Sequence, residues 1–211
     1  MSPDTAHVLP SRWKDFLREI DELLGIAVEI HCLGGFVLSA LYELPRPTGD
    51  VDYIAAMPSS SITELESIAG QGSALKRKHG LYLQYVTVAD VPENYAERLE
   101  ELFPGEFIRL RLFALEVNDL VLAKLVRNSP VDLEDAKFLA RTGRLSETVL
   151  KQRYEKELRP YLANEKRHDL TLKLWVDACF HSLALLFNGW QRMKGARGLS
   201  ALFSAAWQLP E

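Results

Sequence analysis

The chain has 211 residues, which is enough for one hydrophobic core with a small appended helical part and too few for several independent domains. Its composition, 47% hydrophobic and 26% charged, is ordinary for a folded globular protein and argues against long disordered regions. The formal charge of -4 gives no general attraction to nucleic acid, although a local basic patch can coexist with it.

Cysteine usage and apolar patterning indicate the compartment. Cys32 and Cys179 lie far apart and form no Cys-x-x-Cys motif, so neither a zinc site nor a disulfide framework is predicted. Charged residues interrupt both the first 24 residues and the most apolar segment, residues 170–190. We therefore expect no signal peptide, no membrane span and a cytoplasmic protein.

Residues 1–117 predict alternating helices and strands. Some segments repeat apolar residues at helical spacing, whereas short apolar runs rich in β-branched residues indicate buried strands. Pro45 and Pro47 end one helix, because proline lacks the amide hydrogen that a helix needs. In chain order, the predicted elements are a helix at 12–24, a strand at 26–32, a helix at 36–44, a strand at 51–56, a helix at 62–69 capped by Ser61, and strands at 81–88 and 107–115.

Residues 118–211 predict helices only. Serine or asparagine caps open these helices, and glycine or proline ends them. The predicted helices are 119–127 capped by Asn118, a helix from Ser129-Pro130 to Gly143, a helix from Ser146 to Arg159, one at about 166–186, and a short docked helix after Gly189. The order indicates an α+β fold, with a small mixed sheet flanked by helices and a C-terminal helical region packed on that core.

Two aspartates at the start of the second strand are the central candidates for chemistry. Asp50 and Asp52 lie two residues apart on a strand, so their carboxylates share a face and repel each other. A hard cation between them relieves the repulsion, and magnesium that bridges to phosphates is the natural use of such a pair. The alternative is a polar turn in which both side chains only solvate the start of the strand.

Gly34-Gly35, at the end of the first strand, is the second candidate feature. Glycine lets the backbone approach a phosphate closely, and a helix N terminus offers amide hydrogens to it. Together with the two aspartates, this pair predicts a site for a metal and a phosphate.

These motifs resemble the signature of the polymerase-beta-type nucleotidyltransferase superfamily. The run from Arg46 to Asp52 reads Arg-x-Thr-x-Asp-x-Asp after a Gly-Gly helix start, which is similar in particular to the minimal branch that contains the AbiEii-type abortive-infection toxins. The resemblance implies a nucleotidyltransferase sheet in which Asp50 and Asp52 bind Mg²⁺ or Mn²⁺. The nucleotide-binding residues that it implies are Gly34, Gly35, Arg46, Thr48 and Arg127.

A helical block extends the resemblance, which covers roughly residues 25–160. Residues 119–127 and 132–135 resemble the Lys-x-x-Arg and Asp-x-x-Asp blocks of the family. The resemblance implies that Lys124 neutralises triphosphate charge and that Asp132 or Asp135 orients Lys124, Arg127 or the nucleotide. Ser129-x-x-Asp132 is also a plain capping box, which favours Asp135 for the functional role. The catalytic residues that the resemblance implies are Asp50, Asp52, Lys124 and Asp135.

The third predicted strand departs from the superfamily pattern. Residues 81–88 contain no acid where many members carry a further carboxylate, Gln84 is the nearest polar residue, and Asp90 follows the strand. Three alternatives remain open: Asp90 reaches the site, one metal suffices, or catalysis is lost.

Other polar residues have weaker functional interpretations. The basic run Lys76-Arg77-Lys78-His79 could grip an RNA backbone, but we favour an ordinary solvated loop. Arg109 and Arg111 form a second candidate patch on one strand face. We expect His31 to be a strand residue rather than a base, and Tyr82 to pack.

Together with the resemblance, these residues imply an enzyme that transfers a nucleoside monophosphate from a nucleoside triphosphate to a hydroxyl of tRNA or a protein. The resemblance also implies a toxin-antitoxin role, with a cognate antitoxin as partner. A small-molecule acceptor is the nearest enzymatic variant. The alternative from another class is a degenerate module of the same fold that binds a nucleotide or partner without turnover, and a third is a purely structural partner-binding protein.

Overall fold

The structure is a computed structural model in which Leu9 and residues 11–181 are described. The helix predicted at 166–186 lies only in part within these residues, and the docked helix predicted after Gly189 lies outside them. Within the described residues, no helix is long and apolar enough to cross a membrane.

A five-stranded mixed sheet forms the centre of the fold. Its strands run in the order β3-β2-β1-β5-β4. β1 is antiparallel to β2 and parallel to β5, while β3 is parallel to β2 and β4 is antiparallel to β5. The strands are β1 Val28–Leu33, β2 Asp50–Met57, β3 Tyr82–Tyr85, β4 Glu100–Leu102 and β5 Leu110–Ala114.

Helices flank the sheet and then form a C-terminal helical part, so the predicted α+β class is confirmed. The α-helices are α1 Ser11–Leu23, α2 Gly34–Tyr42, α3 Ser61–Ala69, α4 Ala74–His79, α5 Val117–Arg127, α6 Pro130–Arg141, α7 Glu147–Arg153 and α8 Glu165–Val176. Short 3-10 turns occupy Tyr95–Arg98 and Arg159–Tyr161, and π-helical turns follow α7 at Tyr154–Leu158 and α8 at Asp177–His181.

The two faces of the sheet differ in polarity, and this difference positions the site. On the core face, alternate β1 residues Ile30 and Cys32 lie opposite Leu112 and Ala114 of β5, and all four are buried. Trp13, Phe16, Leu17 and Ile20 of α1 are buried in the same core, as the helical spacing of apolar residues predicts. The other face of β2 and β3 carries Asp50, Asp52, Tyr82 and Gln84 in register.

Two predicted strand boundaries are wrong because contacts with distant parts of the chain set them. β3 ends at Tyr85, three residues early. β5 begins at Leu110 instead of residue 107, because the Asp21 carboxylate accepts the backbone amides of Ile108 and Arg109. The prediction misses two elements. One is the short strand β4, and the other is α4, a helix capped by Ser73 that contains the basic run expected to be a loop.

The predicted helix caps are partly confirmed. Ser129 and Asp132 form the expected capping box at the start of α6, and Ser146 caps α7. The caps of α3 and α5 are wrong by one and two residues, because Ser60 precedes α3 and Glu116 precedes α5. Glu116 takes this position because its carboxylate accepts the backbone amide of Asn118.

Candidate functional site

The start of α2 lies against Asp52. β1 pairs with β2 so that Leu33 is opposite Asp52, and Gly34 follows with a φ of 79°, a conformation that L side chains rarely adopt. A Cβ on Gly34 would lie 3.1 Å from Cγ of Asp52 and nearer still to a carboxylate oxygen. A Cβ on Gly35 would lie 3.3 Å from Oγ1 of Thr48. The glycine pair therefore allows α2 to begin directly beside the aspartates.

We expect Gly34→Ala to lower the free energy of unfolding by about 3 kcal/mol, because it combines left-handed strain with a collision against Asp52. Gly105 is the matched control, since its φ is also 79° but, among the described residues, nothing lies within 4 Å of the place that a Cβ would occupy. Gly105→Ala should lose only the strain, about 1 kcal/mol. Equal losses in urea denaturation would show that Asp52 moves aside without cost.

Asp50 is held by hydrogen bonds at both carboxylate oxygens. Thr48 Oγ1 donates to Oδ1 over 2.7 Å, and Tyr82 OH donates to Oδ2 over 3.2 Å. The sequence predicts only a packing role for Tyr82, so it misses this contact. The signal is the strand register, which places Asp50 opposite Tyr82 and is not visible in the local sequence.

The pKa of Asp52 reflects its burial and its closeness to a second carboxylate. Burial and then repulsion from Asp50 raise the pKa of Asp52 to about 6, while the positive charges of Arg127 and Lys124 partly offset the rise. A divalent cation beside the two carboxylates would relieve the same repulsion.

The oxygen donors of this site fit magnesium. Mg²⁺ is commonly held by one or two carboxylates together with waters and substrate phosphates, rather than by a full cage of protein ligands. In the described part of the chain, no group of three or more His, Cys, Asp or Glu residues could hold a metal ion. Asp50 and Asp52 therefore suit a cation that arrives with phosphate oxygens and water as its other ligands.

A buried charge cluster, which we define as Lys124, Asp132 and Asp135, lies between α5 and α6. Lys124 Nζ donates to Asp132 Oδ1 over 3.1 Å and to Asp135 Oδ2 over 2.8 Å, and all three side chains are nearly inaccessible to solvent. Two arginines extend the cluster towards the surface. Arg127 Nε donates to Asp132 over 2.8 Å, and Arg46 Nη2 donates to Asp135 over 2.8 Å.

The contacts of the cluster separate the roles that the sequence left open. Arg127 pairs with Asp132. Arg46 binds Asp135, which lies 89 positions further along the chain. Burial opposes the ionisation of Asp132, but hydrogen bonds from Arg127 and Ser129 and the charge of Lys124 outweigh it and hold the pKa of Asp132 well below its usual range.

A cavity of about 340 Å³ brings four of these groups to one place. Gly34 and Asp52 lie in its wall on the sheet side, and Lys124 and Arg127 lie in its wall on α5. Asp90 also lines it. The remaining wall is aliphatic and consists of Leu33, Val86, Val88, Ala89, Leu120, Ala123 and Val126.

The predicted site residues fall into two sets around this cavity. Gly34, Asp52, Lys124 and Arg127 line it directly. The others contact those residues or their neighbours: Gly35 packs on Thr48, Thr48 bonds Asp50, and Asp135 joins Lys124 to Arg46.

Gln84 lies opposite Asp52 in the strand register, but its amide nitrogen donates to the Tyr85 carbonyl. It supplies no carboxylate, so the departure seen in the sequence persists in three dimensions. Asp90 is the acid that the fold instead brings to the cavity wall.

The remaining candidates have local partners. In the basic run, Lys78 and His79 pair with Glu19, and Arg77 donates to the Gly72 carbonyl. Arg111 pairs with Glu29 and Glu101, whereas Arg109 precedes β5 and its guanidinium donates to the Asp21 carbonyl. His31 is a buried strand residue, as expected, and its ring nitrogens contact Tyr95 OH and Glu29.

Comparison with known protein families gives a match that covers most of the chain. A family described as "Nucleotidyltransferase of unknown function (DUF6036)" matches residues 12–178, which include every residue of the site described above. No curated protein and no solved structure matches the chain. The match supports the prediction of a nucleotidyltransferase and does not extend to the AbiEii-type branch.

Proposed function

The chain belongs to this nucleotidyltransferase family of unknown function, and from that premise we propose that it is a metal-dependent enzyme that transfers a nucleoside monophosphate from a nucleoside triphosphate to a hydroxyl acceptor. One observation carries the proposal. Asp52 lies against the glycine that opens α2, in the wall of a cavity that it shares with Lys124 and Arg127. Carboxylates, a helix N terminus and cations thus converge on one space.

Three sets of groups in this chain would bind a triphosphate: two carboxylates, the backbone amides at the start of α2, and two cationic side chains. Asp50 and Asp52 would hold Mg²⁺ or Mn²⁺, and the bound ion would supply charge neutralisation to the phosphates. The amides at the start of α2 are available to phosphate oxygens, because the side chain before them, Leu33, is apolar and cannot cap the helix. Lys124 and Arg127 add positive charge from the opposite wall.

The reaction requires proton transfer as well as phosphate binding. The acceptor oxygen bonds to the α-phosphorus, the bond from that phosphorus to the bridging oxygen breaks, and pyrophosphate leaves. The hydroxyl proton needs an acceptor, and Asp90 is the acid in the cavity wall that is not required for the metal. Asp90 therefore takes the role of general base in this proposal.

We expect Asp90→Asn to lower kcat by about a hundredfold, because it removes the base but keeps the side-chain volume. Binding of Mn²⁺ to the free protein should not change. Glu97→Gln is the control, since Glu97 is an exposed acid in the 3-10 turn that follows the same loop. Wild-type kcat in Asp90→Asn would reject Asp90 as the base and leave the single-metal alternative.

The proposed acceptor is a hydroxyl of tRNA or a protein, with a toxin-antitoxin role in the cytoplasm. This part of the proposal is supported by the resemblance of the sequence to the AbiEii-type branch. The test is pyrophosphate release from each of the four ribonucleoside triphosphates with Mg²⁺, with bulk tRNA or cell protein added in turn. Release that requires Mg²⁺ and one acceptor class supports the proposal, and the labelled acceptor identifies the class.

Gln84 favours one second candidate, a degenerate module that binds a nucleotide without turnover. Gln84 occupies the position opposite Asp52 and cannot accept a proton as a carboxylate does. Such a module would show saturable, Mg²⁺-dependent nucleotide binding but no pyrophosphate release with any acceptor. The same assay, run beside a binding titration, separates the two candidates.

A further inference from the structure

Asp50 receives a proton donor at each carboxylate oxygen, and the two donors come from different elements. Thr48 lies in the loop before β2, whereas Tyr82 begins β3 and is paired with Asp50 across the parallel ladder. The bonds are 2.7 Å from Thr48 Oγ1 and 3.2 Å from Tyr82 OH. Together they fix the rotation of the carboxylate, and each oxygen keeps a second lone pair.

The Tyr82 ring is itself held in place by Lys76. The ammonium of Lys76 lies 4.4 Å from the ring centroid, a cation–π distance, and donates to the Gly80 carbonyl over 2.9 Å. Lys76 belongs to the basic run on α4, whose other members are engaged with Glu19 and Gly72. The contact with the Tyr82 ring is a structural role for Lys76, distinct from both RNA binding and simple solvation.

We propose that Tyr82 is a positioning residue for the metal ligand Asp50, with Lys76 holding its ring, so that the carboxylate is oriented before the cation arrives. The inference rests on the proposed function, since it assigns Asp50 to the metal. Hydrogen bonds from outer residues orient ligating carboxylates, and their loss typically weakens metal binding by about tenfold or more. Tyr82 would act through Asp50 and touch neither metal nor substrate.

The test measures the binding of Mn²⁺ alone to the purified full chain, with electron paramagnetic resonance as the readout. Tyr82→Phe removes the hydroxyl and keeps the ring under Lys76. We expect its Mn²⁺ dissociation constant to rise by about tenfold. Tyr85→Phe is the matched control, because it removes a tyrosine hydroxyl from the same strand, and the Tyr85 ring packs on Tyr53. This variant should bind Mn²⁺ as the wild type does.

A second variant separates positioning from general disturbance of the sheet. Thr48→Val removes the donor to the other Asp50 oxygen and should weaken Mn²⁺ binding in the same direction, with an unchanged urea midpoint in both variants. Wild-type affinity in Tyr82→Phe would overturn this inference alone. Failure of the wild type to bind Mn²⁺ both alone and with a nucleoside triphosphate present would overturn it together with the metal-dependent part of the proposed function.

Discussion

Replacement of Lys124 by methionine is expected to lower the free energy of unfolding by about 3 kcal/mol. Lys124 is 4% exposed and supplies a shared cation to Asp132 and Asp135. Removing one partner of a buried ion pair costs about 3–5 kcal/mol, since it leaves buried charge without compensation. The lower end applies here, because Arg127 still binds Asp132 and Arg46 still binds Asp135.

The measurement is urea denaturation followed by circular dichroism. Lys137→Met is the matched control, because Lys137 is a partly exposed lysine on α6 whose ion-pair partner, Glu134, is exposed. It should cost less than about 0.5 kcal/mol. A loss in Lys124→Met no larger than that of Lys137→Met would contradict the view that Lys124 compensates the two aspartates.

The same cluster links parts of the chain that meet only in the fold. Asp135 joins α6 to Arg46, which lies in the loop between α2 and β2, immediately before the Asp50 strand. Lys124 and Arg127 face the cavity from α5, and both pair with Asp132 of α6. A stability cost at Lys124 is therefore expected to accompany a loss of activity, and only the measured unfolding separates the two.

Much of the fold could be predicted from the sequence because local signals mark its boundaries. The apolar periodicity of α1, the glycines after β1 and the prolines before β2 each act within a few residues. β4 gave no such signal, since it has three residues, two of them exposed glutamates, and exists only because β5 offers a partner. The early end of β3 is likewise set by the pairing with β2 rather than by its own residues.

The candidate site could be predicted where its residues are close along the chain. Asp50, Asp52 and Gly34-Gly35 follow from spacing and strand direction, and the structure places Asp52 against Gly34. The partners that orient these groups could not be predicted, because they depend on register and helix packing. Tyr82 reaches Asp50 only through the β2-β3 ladder, and Arg46 reaches Asp135 only once α6 packs against α5.

Asp52→Asn is expected to remove activity while it raises stability. Loss of one of two carboxylates from the proposed metal site should lower the rate of pyrophosphate release by about a thousandfold. In the metal-free protein, however, the Asp52 carboxylate is disfavoured by burial and by repulsion from Asp50, which raise its pKa to about 6. The asparagine removes that penalty, so we expect the free energy of unfolding to rise by about 1 kcal/mol at alkaline pH, a value discounted for partial exposure.

The pH dependence gives this prediction its sign. The folded state holds the proton of Asp52 more tightly than the unfolded chain does, so wild-type stability falls as pH rises from the ordinary value of 3.8 to about 6. The advantage of Asp52→Asn should thus be absent below that interval and complete above it, in urea denaturation with a chelator present. Asp15→Asn, an exposed aspartate on α1, should show no such dependence. If Asp52→Asn is less stable than the wild type at alkaline pH, the Asp52 carboxylate supports the start of α2. If Asp52→Asn releases pyrophosphate at the wild-type rate, Asp52 is not part of the proposed metal site.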